Sequence, residues 1–70
     1  MNRVSVSSSN IVSIGYDTQN RVLEVEFKDG SVYQYTNVPP SEYEGIMASS
    51  SHGSYLNDHI KPNYPYTKIN

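Results

Sequence analysis

The chain has no cysteine and no tryptophan, a single phenylalanine, and no apolar run of the length that crosses a bilayer. Without cysteine, disulfide staples and thiolate metal ligands are excluded, and 70 residues must be held together by packing alone. The lack of a long apolar run and of a signal-peptide pattern leads to the expectation of a soluble, cytoplasmic protein with no membrane partner. A basic excess is missing too: five Lys and Arg stand against seven Asp and Glu, a net charge of -2, so the composition as a whole is not built to neutralise phosphates. So short a chain makes one domain and buries only ~60% of its unfolded surface.

What the chain does hold is tyrosine, seven residues within a hydrophobic fraction of 36%. The interior must therefore borrow ring area from side chains whose hydroxyls need partners or water. Three runs rich in β-branched and aromatic residues, IVSIGYD, VLEVEFK and SVYQYTN, are separated by turn residues between Ile11 and Asn37, the pattern of a β-meander. A two-residue turn at Asp29-Gly30 would mix the faces of the sheet. A three-residue loop, Lys28-Asp29-Gly30, with Gly30 left-handed in a bulge, instead sets Val25 opposite Tyr33 and Leu23 opposite Tyr35. A first turn of two or four residues around Thr18 to Arg21 places Tyr16 opposite Leu23, Ile14 opposite Val25 and Val12 opposite Phe27. One face then carries Val12, Ile14, Tyr16, Leu23, Val25, Phe27, Tyr33 and Tyr35. The other carries Ser13, Asp17, Glu24, Glu26, Lys28 and Gln34, with Val22 and Val32 as exceptions. Both tyrosines of the Tyr33-Gln34-Tyr35 doublet thus read as core, with one ring at an edge as the competing assignment.

Val38-Pro39-Pro40 stops the third strand, and Ser41 with Glu44 has the spacing of a capping box that opens a helix. Tyr43, Ile46 and Met47 form its apolar stripe, which Gly45 weakens by ~1 kcal/mol relative to Ala. A second short helix is predicted within Gly53 to Lys61, with Tyr55, Leu56, His59 and Ile60 at helical spacing and Pro62 ending it. The expected fold is α+β: a three-stranded antiparallel meander with two short helices on one face, and either terminus able to add an edge strand. Residues 1–8 read as an arm, 9–66 as the domain and 67–70 as a tail.

No catalytic, cofactor or metal site is predicted. His52 and His59 at i and i+7 on a helix are about 10 Å apart, too far to share an ion. Many serines make some Ser/His/Asp proximity a matter of chance, and no nucleophile elbow is present. Glu24 and Glu26, about 7 Å apart on a strand, sit on a face expected to be solvated, where nothing raises a carboxyl pKa. Phosphate-cradling glycine motifs are absent.

Residues 51–68 combine a Gly-opened helix start with three Tyr, two His and two Lys, the ingredients of a single-stranded RNA contact. The same rings at helical spacing equally serve a core. An uncovered edge of the meander, in turn, invites another chain.

Ile14-Gly15-Tyr16-Asp17, Leu23, Val25, Phe27, Gly30, the Tyr33-x-Tyr35 pair, Val38-Pro39, Ser51-x-Gly53, Tyr55, Asn57, Ile60 and Tyr64-Pro65 together resemble the KTSC domain, from about Ser9 to Tyr66. His52 departs from the lysine often found in the Ser-x-Gly element, and Ser49 from a small apolar residue. That family is small, bacterial or phage-borne, and named for its place at the C-terminus of some proteins labelled lysyl-tRNA synthetase. Its function is uncharacterised, and the association implies RNA. On that resemblance the expected activity is a non-catalytic binding module for RNA, weak and salt-dependent, with His52, Tyr55, Lys61, Tyr64 and Lys68 as contacts. The alternative is a protein-interaction or homodimerising module that uses a sheet edge.

Overall fold

A computed structural model describes all 70 residues. The fold is α+β. Its sheet has five antiparallel strands in chain order: β1 (Arg3–Ser5), β2 (Ile11–Asp17), β3 (Val22–Phe27), β4 (Val32–Tyr35) and β5 (Tyr66–Lys68). Between β4 and β5 the chain forms α1 (Pro40–Ala48) and α2 (His52–Tyr55), the latter running without a break into a π-helical turn, Leu56–Ile60. The expected count of three strands with one optional edge is corrected to five, because both termini pair: Val4 lies opposite Ile14, and Tyr66 opposite Tyr35.

The central register follows from Gly30. Its φ of +91° is the left-handed conformation that a side chain resists, and it closes a three-residue loop in which Phe27 N–H donates to Ser31 O at 2.8 Å. Leu23 then pairs with Tyr35 and Val25 with Tyr33. The first turn takes four residues, since Asp17 pairs with Val22. The Asp17 carboxylate organises it by accepting the backbone N–H of Gln19 and Asn20 at 3.0 and 3.2 Å.

One pairing departs from expectation. A bulge between Ile11 and Ser13 leaves Val12 without a partner, so that Ile11, not Val12, lies opposite Phe27. An extra residue in one strand exchanges the faces of those beyond it. Ile11 is accordingly sealed in the core while Val12 is 37% exposed.

The core lies between the sheet and the helices, where Ile14, Leu23, Val25 and Tyr35 meet Ile46 of α1 and Leu56 and Ile60 of the π turn. Each fully buried aliphatic side chain here contributes about 1.5–3 kcal/mol relative to exposure. The proposed capping box does not form: the cap falls two residues earlier, at Pro39, with Pro40 at the first position of α1 and no side-chain cap bond. Proline supplies the helical φ there and has no N–H to satisfy, which removes the need for a Ser41 cap. The cap that does form belongs to α2, where the Ser51 side chain accepts from Ser54 N–H.

Two glycines are empty because another side chain occupies their space. A Cβ on Gly45 would stand 2.1 Å from the Tyr55 hydroxyl, and one on Gly15 would stand 2.9 Å from both Arg3 Cγ and the Asn2 carbonyl. Arg3 therefore crosses over Gly15 to form an ion pair with Glu24, and its Nη2 lies 3.6 Å from Glu26 Oε1. Gln34 Nε2 donates to the other Glu24 oxygen at 2.8 Å. The expectation that this face is solvated is corrected: Glu24 is only 8% exposed, because the Arg3 side chain reaches it from β1 across Gly15 of β2 and brings its counter-charge.

Candidate functional site

The five residues expected to contact a ligand fall into two groups. His52, Tyr55 and Tyr64 are engaged around α1. His52 Nδ1–H donates to the Ile46 carbonyl at 2.7 Å, satisfying an acceptor near the end of the helix. Both oxygens of Glu42 are taken, by the Tyr55 hydroxyl at 2.6 Å and the Tyr64 hydroxyl at 3.0 Å. The bond to the Glu42 carboxylate, aided by burial, pushes the Tyr55 phenol up to about 12. Tyr64 is raised as well, first by burial and then by Glu42. The Tyr55 ring also leans against His59, with centroids 4.4 Å apart and the planes tilted by 34°. These groups tie α1 to α2 and to the segment leading into β5.

Lys61 and Lys68 belong to a different place. At the end of the sheet where β3 turns into β4, Phe27, Ser31, Tyr33, Tyr35, Tyr66 and Lys61 line a groove of ≈ 360 Å³. Phe27 meets Tyr33 edge-on at 5.6 Å, and Tyr66 leans across Tyr33 at 5.5 Å and Tyr35 at 6.0 Å. Tyr66 is 62% exposed, whereas Tyr35 is buried and Tyr33 half-buried. The Tyr doublet thus divides its labour, one ring filling the core and the other forming the floor of the groove. The Lys61 ammonium stands 6.0 Å from the centre of the Phe27 ring, within the reach of a cation–π contact. Lys68 pairs with Tyr33 and shares its face.

Lys28 lines an adjoining compartment, so all three lysines of the chain border this one region. Two of the seven acids are nearby in sequence, Asp29 and Asp58, while Glu24, Glu26 and Glu42 are bound up elsewhere. Hydrogen bonds from Ser31 hold the Asp29 carboxyl below the usual range, with a smaller contribution from Lys68. The π turn sits at the same place: Lys61 N–H donates to the Leu56 carbonyl five residues back, at 2.9 Å. Such single turns recur at functional sites because the widened backbone re-aims the side chains that follow. No three His, Cys, Asp or Glu side chains are grouped to hold a metal ion.

Phe27, Tyr33 and Tyr66 were not among the expected contacts. The available signal was the alternation of Tyr66 and Lys68 in the tail, which becomes informative only once β5 is paired beside Tyr33 and Tyr35.

The profile of the KTSC domain matches residues 7–64. The chain belongs to the KTSC domain family. A crystal structure of a KTSC domain protein from Yersinia pestis superposes with a TM-score of 0.92 at 41% identity, covering 99% of this chain and 97% of that one. An uncharacterised protein of Stutzerimonas stutzeri is 40% identical over 99% of both chains. A lysine–tRNA ligase of Nostoc punctiforme is 34% identical over 84% of this chain, which corresponds to only 10% of the ligase. The KTSC domain is thus found both as a small protein and as a minor part of a long one. No helix of this KTSC protein is long and apolar enough to cross a membrane.

Proposed function

We propose that this KTSC protein is a non-catalytic module that binds single-stranded RNA in the groove between Phe27, Tyr33, Tyr66 and Lys61. The observation that carries this reading is the solvent-open aromatic cluster with the chain's three lysines gathered about it. An exposed ring offers a π-face on which any base can stack, worth about 1–3 kcal/mol per base, while ammonium groups take the phosphates. A net charge of -2 does not oppose this, because the chain segregates its charge: the ion-paired carboxylates lie on the outer face of the sheet and the lysines at the groove. The name of the ligase relatives involves tRNA, which agrees with an RNA partner without specifying this domain's part in it.

Of the five residues expected from the sequence, the proposal retains Lys61 and Lys68 as phosphate contacts. It assigns His52, Tyr55 and Tyr64 to holding the helices. Edge pairing with another protein is less favoured, because both edge strands are three residues long and one carries Lys68, the short, charged form that discourages strand addition.

The test is an NMR titration with mixed-sequence single-stranded RNA at low salt. Amide and ring signals of Phe27, Tyr33, Lys61 and Tyr66 are expected to move, while those of Glu42 and Tyr55 stay. Three phosphate contacts give a slope of log affinity against log salt of about -2. Unmoved groove signals at millimolar RNA would eliminate the proposal, and concentration-dependent shifts along Arg3–Ser5 without RNA would favour self-association at the edge.

A further inference from the structure

The aromatic groove adjoins a second compartment of the same size, ≈ 360 Å³, and the two share Phe27 and Lys61 as a common wall. The chemistry of this second space is different. Its lining includes Asn10, Asn57 and Asp29, with Lys28 at the margin. Asn10 is held by its backbone, which accepts from Lys28 N–H at 2.9 Å and donates to Ser8 Oγ at 3.3 Å, so its carboxamide is free. The Asn57 carboxamide has no partner within the chain, on the first turn after α2 where the widened backbone presents it to solvent. Asp29 uses one oxygen, Oδ1, on Ser31 N–H and Oγ–H at 2.9 and 2.6 Å, and keeps the other available.

A carboxamide offers a donor beside an acceptor, and a carboxylate offers acceptors only. An adenine edge presents an exocyclic amine next to an acceptor nitrogen, a bidentate match for Asn, and the amine is also a donor for a carboxylate. Uracil places a carbonyl oxygen where that amine would be, facing the Asp29 charge with a second acceptor. Between the two compartments stands the Lys61 ammonium, where the phosphate that links two successive nucleotides would fall.

We infer that the site is a two-nucleotide reader: one base stacks without preference in the aromatic compartment, and its neighbour is read in the polar compartment by Asn57, Asn10 and Asp29, with adenine favoured over uracil. This rests on the RNA reading of the groove and adds to it a base preference and a residue set.

The experiment compares short oligoadenylate and oligouridylate in the same low-salt buffer, using the intact chain and monitoring the fold by its amide spectrum. Wild type is expected to bind oligoadenylate roughly fivefold or more tightly, the lower end for one bidentate base contact. Asn57→Ala, and Asn10→Ala independently, are expected to reduce that ratio towards unity, while Tyr66→Ala weakens both ligands together. Equal affinities in wild type, or a ratio that survives in the Asn57→Ala/Asn10→Ala double variant, would overturn the base-reading compartment and leave the RNA groove in place. Absence of binding to either oligonucleotide, with Lys61 and Tyr66 signals unmoved, would overturn both.

Discussion

Gly45→Ala is a substitution for which general helix preference and this structure give opposite signs. In an exposed helix interior, replacing Gly by Ala stabilises by about 1 kcal/mol. Here the new methyl would stand 2.1 Å from the Tyr55 hydroxyl oxygen, 2.7 Å from Cζ and 3.0 Å from Cε2, so the ring must move. Moving it breaks the 2.6 Å bond to Glu42, and a hydrogen bond to a charged group is worth about 1.5–3 kcal/mol. The overpacking itself costs about 1–3 kcal/mol. Because Tyr55 is only half-buried and can swing outward, the low end applies, and the net is a loss of about 1.5 kcal/mol after the helix gain is deducted.

Against a total stability of about 4–10 kcal/mol for a chain of this size, that is a large fraction. Urea unfolding with a slope near 1 kcal/mol per molar would lower the midpoint by about 1.5 M. The decisive comparison is Gly45→Ala in a Tyr55→Ala background. With the ring gone, the same substitution is expected to raise the midpoint. An increase in the parent chain, or the same loss in both backgrounds, would refute the steric account.

Three further outcomes are expected. Tyr35 and Tyr55 both have phenols pushed up to about 12, the first by burial and the second by its bond to Glu42. Since the folded state raises these pKa values above the unfolded 10, their stabilisation is intact below pH 10 and is lost as pH rises towards 12; a tyrosinate absorbance titration with parallel unfolding curves tests this, and Tyr55→Phe should flatten the decline. Gly30→Ala introduces a Cβ at φ +91° with no atom within 4 Å, so the cost is backbone strain alone, about 1–2 kcal/mol by urea midpoint, and no loss would contradict the bulged loop. Gly15→Ala drives a methyl into Arg3 Cγ and the Asn2 carbonyl, and is expected to abolish amide-exchange protection in Arg3–Ser5 while that of β3 persists; protected β1 amides would count against it.

The sheet's centre was legible because three signals agreed: a glycine where the β3–β4 loop needs positive φ, alternation in Val22–Phe27, and a tyrosine doublet that matched Leu23 and Val25 in just one loop length. The bulge was hidden since Ile11 and Val12 are adjacent apolar residues, and alternation cannot say which of two neighbours faces inward. Three-residue strands such as β1 and β5 hold too few alternations to register, and their pairing is decided by the neighbour they find. Ser41 and Glu44 had the spacing of a cap, but Pro39-Pro40 had already set the helix start, and backbone restriction overrode side-chain chemistry. Glu24 looked solvated because its partner, Arg3, lies 21 residues away in sequence. For the same reason the candidate site was only half visible: lysines 61 and 68 could be picked out locally, whereas the grouping of Phe27, Tyr33 and Tyr66 depends on strands meeting across the chain.

The sealed interior ends with Ile60, yet Tyr66 and Lys68 are supplied by the final strand. One part of the groove, Tyr66 and Lys68, is therefore carried by a stretch outside the sealed interior, so residues 66–70 can be exchanged by design to suit a new ligand while Phe27, Tyr33 and Lys61 keep their places in the scaffold.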